Sequence, residues 1–372
     1  MTLDHVGTDA DLAEFYRDLS AVDLSPLWTI TEQLLTPTPR PKSVPWLWSA
    51  ATMKPLARRA IQLVPVERGG ERRVLSLQNP GLGGSPYAAG TLWGALQCLG
   101  PREVAPAHRH SPGAIRFVLE GDGVFTTVDG DACDMHPGDL VLTPSMNWHD
   151  HVNSGDGEMF WFDGLDLPMV QALDSIFFEP YPGPGESQPE PAEHNVSERL
   201  YAGGNRYTDG AVADVLSPRH SKLMIYRWAD TVAELDRLTA ASDDAVVSVE
   251  YTDPESGASV MPTMACAAYR VRAGSHSLPV RRTGNSVHVV FSGHGSSVIG
   301  GRRFDWGPGD MFVVPSWAAS EHFVDTEHFV DGVAEHAEVF VVSDSPVLRA
   351  LGLYREETLA APQPITDIFS PR

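Results

Sequence analysis

Short apolar stretches broken by Gly, Pro and Asp fill two regions of the chain, from about residue 60 to 165 and from about 262 to 345. Brief apolar runs with that punctuation predict short antiparallel strands joined by tight turns. Elsewhere the period changes. Leu12, Phe15, Tyr16 and Leu19 recur at helical spacing and predict a helix over 9–20, with Asp9 or Asp11 available as its cap. Residues 229–241 also read as a helix, and so does 167–178. Pro37, Pro39, Pro41 and Pro45 predict an extended arm over 37–46. The stretch Pro180 to Pro191, rich in Pro, Gly, Glu and Ser, reads as a linker or surface loop.

The two strand-rich regions are copies of one another. His136-Pro137-Gly138-Asp139 resembles Gly307-Pro308-Gly309-Asp310, and Val141-Leu142-Thr143-Pro144-Ser145 resembles Phe312-Val313-Val314-Pro315-Ser316, both at an offset of 171. Phe117-Val118-Leu119-Glu120-Gly121 resembles Val289-Val290-Phe291-Ser292-Gly293, displaced from that offset by one residue. A repeated all-β block with such turns predicts two double-stranded jelly rolls with short flanking helices. The expected boundaries are an N-terminal helix and arm over 1–60, a first barrel over 61–180, a connecting segment over 181–228 and a second barrel over 229–372.

Chemistry concentrates in the first copy. His108 and His110 are two residues apart, so on a strand their rings share a face. Trp148-His149-Asp150-His151 follows, with His149 lying 39 residues after His110. A lone His-x-His is weak evidence of a metal site, but the repeat supplies a control. Val280, Arg282 and Ser320 stand in the second copy where His108, His110 and His149 stand in the first. The fold signature survives while all three rings are lost together, which favours a metal-binding role in the first barrel. The positions where barrels of this type often add a glutamate are Ala114 and Ile115, and Glu120 is too far along. Three neutral imidazoles with no carboxylate leave coordination positions open, an arrangement suited to catalysis.

Other candidates keep two readings each. Arg116 falls six residues after His110 and, by strand period, is expected on its face. It is either the partner of a substrate carboxylate or one half of a structural ion pair. His151 is a substrate-contacting group or a satisfied structural residue. Asp163 faces the cavity or serves a turn. Trp93 and Gln97 share a strand face, on which Trp93 by itself reads as core.

Composition narrows the field. The chain has 372 residues, a formal charge of −22 and a pI near 4.9, which argues against nucleic acid or an anionic membrane as partner. Three cysteines, Cys98, Cys133 and Cys266, offer no disulfide framework. The expectation is a cytoplasmic protein, with no secretory leader in Met1-Thr2-Leu3-Asp4-His5 and no membrane-spanning run.

Taken together, His108 through Phe117 and Pro144 through His151 resemble the bicupin gentisate 1,2-dioxygenases and their salicylate and 1-hydroxy-2-naphthoate relatives. The resemblance extends to Phe15-Tyr16-Arg17-Asp18-Leu19, Pro26-Leu27-Trp28, Arg72-Arg73, Trp93 to Gln97, Ser197 to Tyr201 and Met261 to Met264, and so covers nearly the whole chain. It implies one Fe(II) per chain on His108, His110 and His149. It implies a small aromatic hydroxy-acid substrate whose carboxylate Arg116 holds, with Arg72, Trp93, Gln97, His151 and Asp163 lining the pocket and His151 and Asp163 as catalytic groups. The implied reaction is ring opening of gentisate by O2 to maleylpyruvate, in a homotetramer. Salicylate and 1-hydroxy-2-naphthoate are the alternative substrates, and a non-catalytic binding bicupin is the alternative from another class. Where relatives often keep Trp-His-Glu-His, the second copy has Ala319-Ser320-Glu321-His322, which implies a metal-free second cupin. Ala95, between Trp93 and Gln97, is expected to bear on which hydroxybenzoate fits.

Overall fold

The computed structural model describes residues 8–65, 68, 73–183, 185, 187–189, 191, 193–204, 207–208, 220–324 and 336–371. Residues Met1–Arg40 and Pro41–Arg372 form two compact units. In the first, the N-terminal helix is Asp9–Ala21, and its cap is Thr8 rather than either expected acid. The Thr8 hydroxyl accepts from the Asp11 N–H while the Asp11 carboxylate accepts from the Thr8 N–H. Reciprocal capping places Asp9 and Asp11 inside the first turn, where the helix dipole favours negative charge.

The second unit holds two jelly-roll barrels. One sheet of the first barrel runs in the order Ile225–Tyr226, Leu140–Thr143, Ala114–Glu120, Met159–Leu165, Trp93–Leu99, Val74–Ser76. The facing sheet runs Phe178–Pro180, Val104–His110, His149–Asn153, Val124–Val128, Asp131–Asp134. The second barrel repeats this plan, with one sheet built around Ser286–Ser292 and His336–Ser343 and the other around Ser320–Val324 and Gly295–Ile299. Among the described strands every pairing but one is antiparallel, as short apolar runs with tight turns require: Arg302–Trp306 and Asp367–Ile368 run parallel.

The barrels pack back to back. Phe117 of the first stacks on Phe340 of the second with ring centroids 4.3 Å apart, and Tyr226 meets Tyr251 edge-on at 5.5 Å. This explains strands such as Leu140–Thr143, buried at every position instead of alternating. One face lines the barrel and the other forms the seam between barrels. Truncating a fully buried ring such as Phe117 to alanine would cost about 3–5 kcal/mol.

Each barrel also borrows a strand from the chain ahead of the other. Trp46–Trp48, which precedes the first barrel, pairs with Met311–Val314 of the second. Ile225–Tyr226, which precedes the second, pairs with Leu140–Thr143 of the first. A helix of 14 residues follows each borrowed strand, Ala50–Leu63 and Trp228–Ala241. The Ala50–Leu63 helix, which begins after the arm expected over 37–46, was not expected; Pro55 inside it hides the pattern. The helix expected over 167–178 is Leu167–Ala172 alone. Asp174 adopts a left-handed conformation (φ 51°), and Phe178–Pro180 then continues as a strand against His108–His110. The segment expected as a connection contains Val196–Tyr201 and Ile225–Tyr226, while 209–219 lie outside the described residues.

Candidate metal centre

The strand Val104–His110 does not run in simple register with His149–Asn153. Ala105 faces His151, yet His108 faces His149, so one extra residue is inserted between them. Such a bulge reverses the side-chain parity beyond it. Without it Ala107 would oppose His149. With it, His108 and His110 turn to the same side as His149. The three rings then meet: centroids are 4.4 Å apart for His108 and His149, 4.8 Å for His110 and His149, and 5.6 Å for His108 and His110. One nitrogen from each lies within 4.8 Å of the others.

Their tautomers are set by backbone. Nδ1 of His108 lies 3.0 Å from the Pro106 carbonyl, Nδ1 of His110 lies 2.7 Å from that of Pro112, and Nδ1 of His149 lies 3.0 Å from that of Asn147. A carbonyl only accepts, so each Nδ1 carries the proton and each Nε2 presents a lone pair. Burial, the neighbouring rings and Arg116 oppose protonation: His110 is lowered to about 4, and His149 is held well below the usual range by burial first and Arg116 second. Among the described residues the buried Nε2 of His149 has no hydrogen-bond partner. Three deprotonated imidazole nitrogens converging without a partner for the deepest of them fit a metal ion.

Arg116 reaches this centre by a different route from the one strand period suggests. It lies on Ala114–Glu120, in the opposite sheet from His110, with a tight turn between the two strands. Its side chain is buried, donates to the Thr143 hydroxyl, and has Nε 3.4 Å from Oδ1 of Asp163, its cross-strand partner. Asp163 also accepts from Trp161 Nε1 at 3.1 Å. Burial pushes Asp163 up to about 6, with Arg116 and the Trp161 N–H holding it down from going higher. Ala95 lies directly across from Asp163, and Gln97 across from Trp161. Trp93 completes that row and donates from Nε1 to Ser76 Oγ at 3.1 Å. Arg72 lies outside the described residues.

His151 packs on Trp161 across the barrel, centroids 5.5 Å apart, and its Nδ1 lies 2.8 Å from Thr126 Oγ1. Sequence reasoning overlooked Thr126, Thr143 and Trp161. Thr126 carried a readable signal, because Ser297 stands at the same offset and holds His322 Nδ1 at 2.7 Å. The ring–hydroxyl pair therefore belongs to both barrels, whereas among the described residues the three-ring cluster belongs to the first alone. The register supports the comparison: Val280 opposes Ser320 in the second barrel as His108 opposes His149 in the first.

Residues 95–165 match the cupin domain family. Over 92% of this chain and 94% of the relative's length, the sequence is 43% identical to a gentisate 1,2-dioxygenase from a Streptomyces species. The chain belongs to the gentisate 1,2-dioxygenase family. A second member, a 5-aminosalicylate 1,2-dioxygenase from a Comamonas species, is 36% identical over 95% of this chain and 92% of its own. The crystal structure of the salicylate 1,2-dioxygenase from Pseudaminobacter salicylatoxidans superimposes with a TM-score of 0.83 at 37% identity, covering 95% of this chain and 99% of that one. Adducts of that enzyme with gentisate align with a TM-score of 0.84 at 36% identity, over 97% and 98% of the two chains. Family membership makes the protein a bicupin ring-cleaving dioxygenase. Its first barrel carries the three-imidazole cluster, and its second keeps the fold with a different interior.

Proposed function

We propose that this protein opens the ring of gentisate with O2, giving maleylpyruvate, and that it uses one Fe(II) per chain held by His108, His110 and His149. Both oxygen atoms enter the product, and the bond between the carboxyl-bearing and hydroxyl-bearing ring carbons breaks. The observation carrying this reading is the convergence of three neutral imidazoles with a buried, guanidinium-bearing wall facing them. Held by these three rings, iron would supply coordination sites for a chelating aromatic and dioxygen and a path for electron density between them. The gentisate dioxygenase name of the 43%-identical relative supports the choice of substrate.

The chain's own groups supply binding, orientation and proton handling. Arg116 pairs the substrate carboxylate through Nη2, the nitrogen that meets neither Thr143 nor Asp163. Asp163 tempers that charge and, with its affinity for protons raised towards neutrality, exchanges a proton as the site fills. His151, kept neutral by burial and anchored at Nδ1 by Thr126, presents its other nitrogen to the substrate hydroxyl. Gln97 and Trp93 wall the ring, Ala95 sets the clearance between them, and Arg72 adds positive charge. The family resemblance also supports a homotetramer, and three buried free thiols suit the reducing cytoplasm.

The direct test is oxygen consumption by the anaerobically Fe(II)-loaded protein with gentisate, salicylate and 1-hydroxy-2-naphthoate, followed with the absorbance of the ring-opened product. Uptake matched to gentisate loss is expected. Uptake with salicylate alone, or with none of the three despite one iron per chain, overturns the substrate assignment.

A further inference from the structure

The second barrel holds a cavity lined by different residues from those of the first barrel's interior. Matching the strand registers puts Ala265 at the place of Trp93, Ala267 at Ala95, Tyr269 at Gln97, His288 at Arg116 and Val341 at Asp163. Tyr269 is larger than its counterpart, but losing the Trp93 indole and the Arg116–Asp163 pair leaves space. The result is a cavity of about 330 Å³, lined among others by Tyr269, Arg282, His288, Ser320, His322 and Val341. That volume accommodates a single-ring organic acid.

Its polar groups are arranged for a ligand. Arg282 stands two residues after Val280, at the place of His110, so a fixed guanidinium replaces one of the rings of the first barrel's cluster. Its side chain is 43% exposed, which leaves the cavity in communication with solvent. Nε donates to Glu356 at 2.6 Å; among the hydrogen bonds of the described residues, its two terminal amino groups are not used. His288 is buried and stacked on Phe312, its Nε2 lies 2.9 Å from Ser286 Oγ, and its Nδ1 has no partner among the described residues. His322 is half-buried beside it and lowered to about 4, and burial holds His288 well below the usual histidine range, so the pair is uncharged at neutral pH.

The acids of the lining are already engaged. Glu356 takes Arg282 and the Tyr354 hydroxyl, and Asp344 takes Thr91 and Asn285. Glu250 accepts from Ser259, lies near Arg349 and is pushed up to about 6 by burial. Unused hydrogen-bonding capacity in the lining thus includes the terminal amino groups of Arg282, and apolar walls of Ala265, Ala267 and Val341 stand beside them; His288 also lines the cavity, with a buried Nδ1 that lacks a partner among the described residues.

We propose that the second cupin is a metal-independent binding site for a small organic carboxylate. Arg282 holds the carboxylate, and His288 meets a hydroxyl or carbonyl of the same molecule. Two sources share that chemistry: the aromatic acid consumed in the first barrel and the ring-opened diacid released from it.

The test is equilibrium dialysis of the full-length, iron-loaded protein under anaerobic conditions. The probes are gentisate, benzoate, which lacks the hydroxyl needed to chelate a metal, and the ring-opened product of a completed turnover. Two gentisate molecules per chain are expected in the wild type. Arg282→Met should weaken the second at least tenfold while leaving the rate at low gentisate unchanged. Ala265→Trp, which restores the first barrel's indole, should abolish the second site without removing its charge. Arg282-dependent binding of product alone would name the diacid as the occupant. One gentisate per chain, with no benzoate or product binding that responds to either substitution, overturns the proposal. Arg282-dependent benzoate binding in a protein that fails to turn over gentisate would uphold this site and overturn only the substrate assignment of the first barrel.

Discussion

The Asp139 carboxylate of the first barrel accepts a hydrogen bond from the backbone N–H of Trp228, 2.9 Å away, where the helix leading into the second barrel begins. Asp310, its counterpart, accepts from the Ala50 N–H at 2.7 Å, capping the helix that leads into the first. The repeated Gly-Asp turn thus caps a helix of the other repeat. Asp310→Ala should cost about 1 kcal/mol, the usual value of a helix cap. Asp139→Ala should cost more, about 3 kcal/mol, because Asp139 is buried and also pairs with Arg227 at 2.8 Å. Urea unfolding of the two variants checks the order.

The glycines before these caps differ in tolerance. Both have positive φ, but a Cβ on Gly138 would meet the Trp228 ring at 2.3 Å, whereas one on Gly309 would meet Ala50 Cβ at 3.0 Å. Gly138→Ala should therefore lower the unfolding midpoint further than Gly309→Ala, since the indole is fixed in place and both share the same backbone strain.

His108→Ala should remove bound iron and turnover together while the circular dichroism spectrum stays that of the wild type. Metal analysis and oxygen uptake on one preparation decide it. Full activity in the variant would remove His108 from the metal site.

Arg116→Ala should raise KM for gentisate at least tenfold and leave iron content unchanged, because the residue faces the cluster without belonging to it. Unaltered KM would return Arg116 to a purely structural pairing with Asp163.

Glu250 gives a pH dependence away from the metal centre. Its folded-state pKa is raised from 4.5 to about 6 by burial, so between these values the folded state binds the proton more tightly than the unfolded chain. Stability falls as pH rises through that window, and the cost is fully present above it. Glu250→Gln should be no more stable than wild type below pH 4.5 and more stable by up to about 2 kcal/mol above pH 6. Unfolding free energies of both proteins across that range check the sign.

Much of this molecule is local in origin, and so was readable in advance. Strand runs, turn residues and the offset between copies need only neighbouring residues, because side-chain period and turn geometry are local properties. The His108–His110 pair and the loss of all three rings from the second copy follow from the same kind of pattern. What the chain's order did not reveal depends on residues far apart in it. The bulge that turns His108 towards His149 is a register between two strands, and Arg116 enters from the opposite sheet, where period along its own strand carries no information. The Ala50–Leu63 helix, masked by Pro55, is held by a cap 260 residues away. The hollow of the second barrel likewise exists only once Ala265, His288 and Val341 meet across paired strands, since free volume is a property of packing between elements and of no single segment.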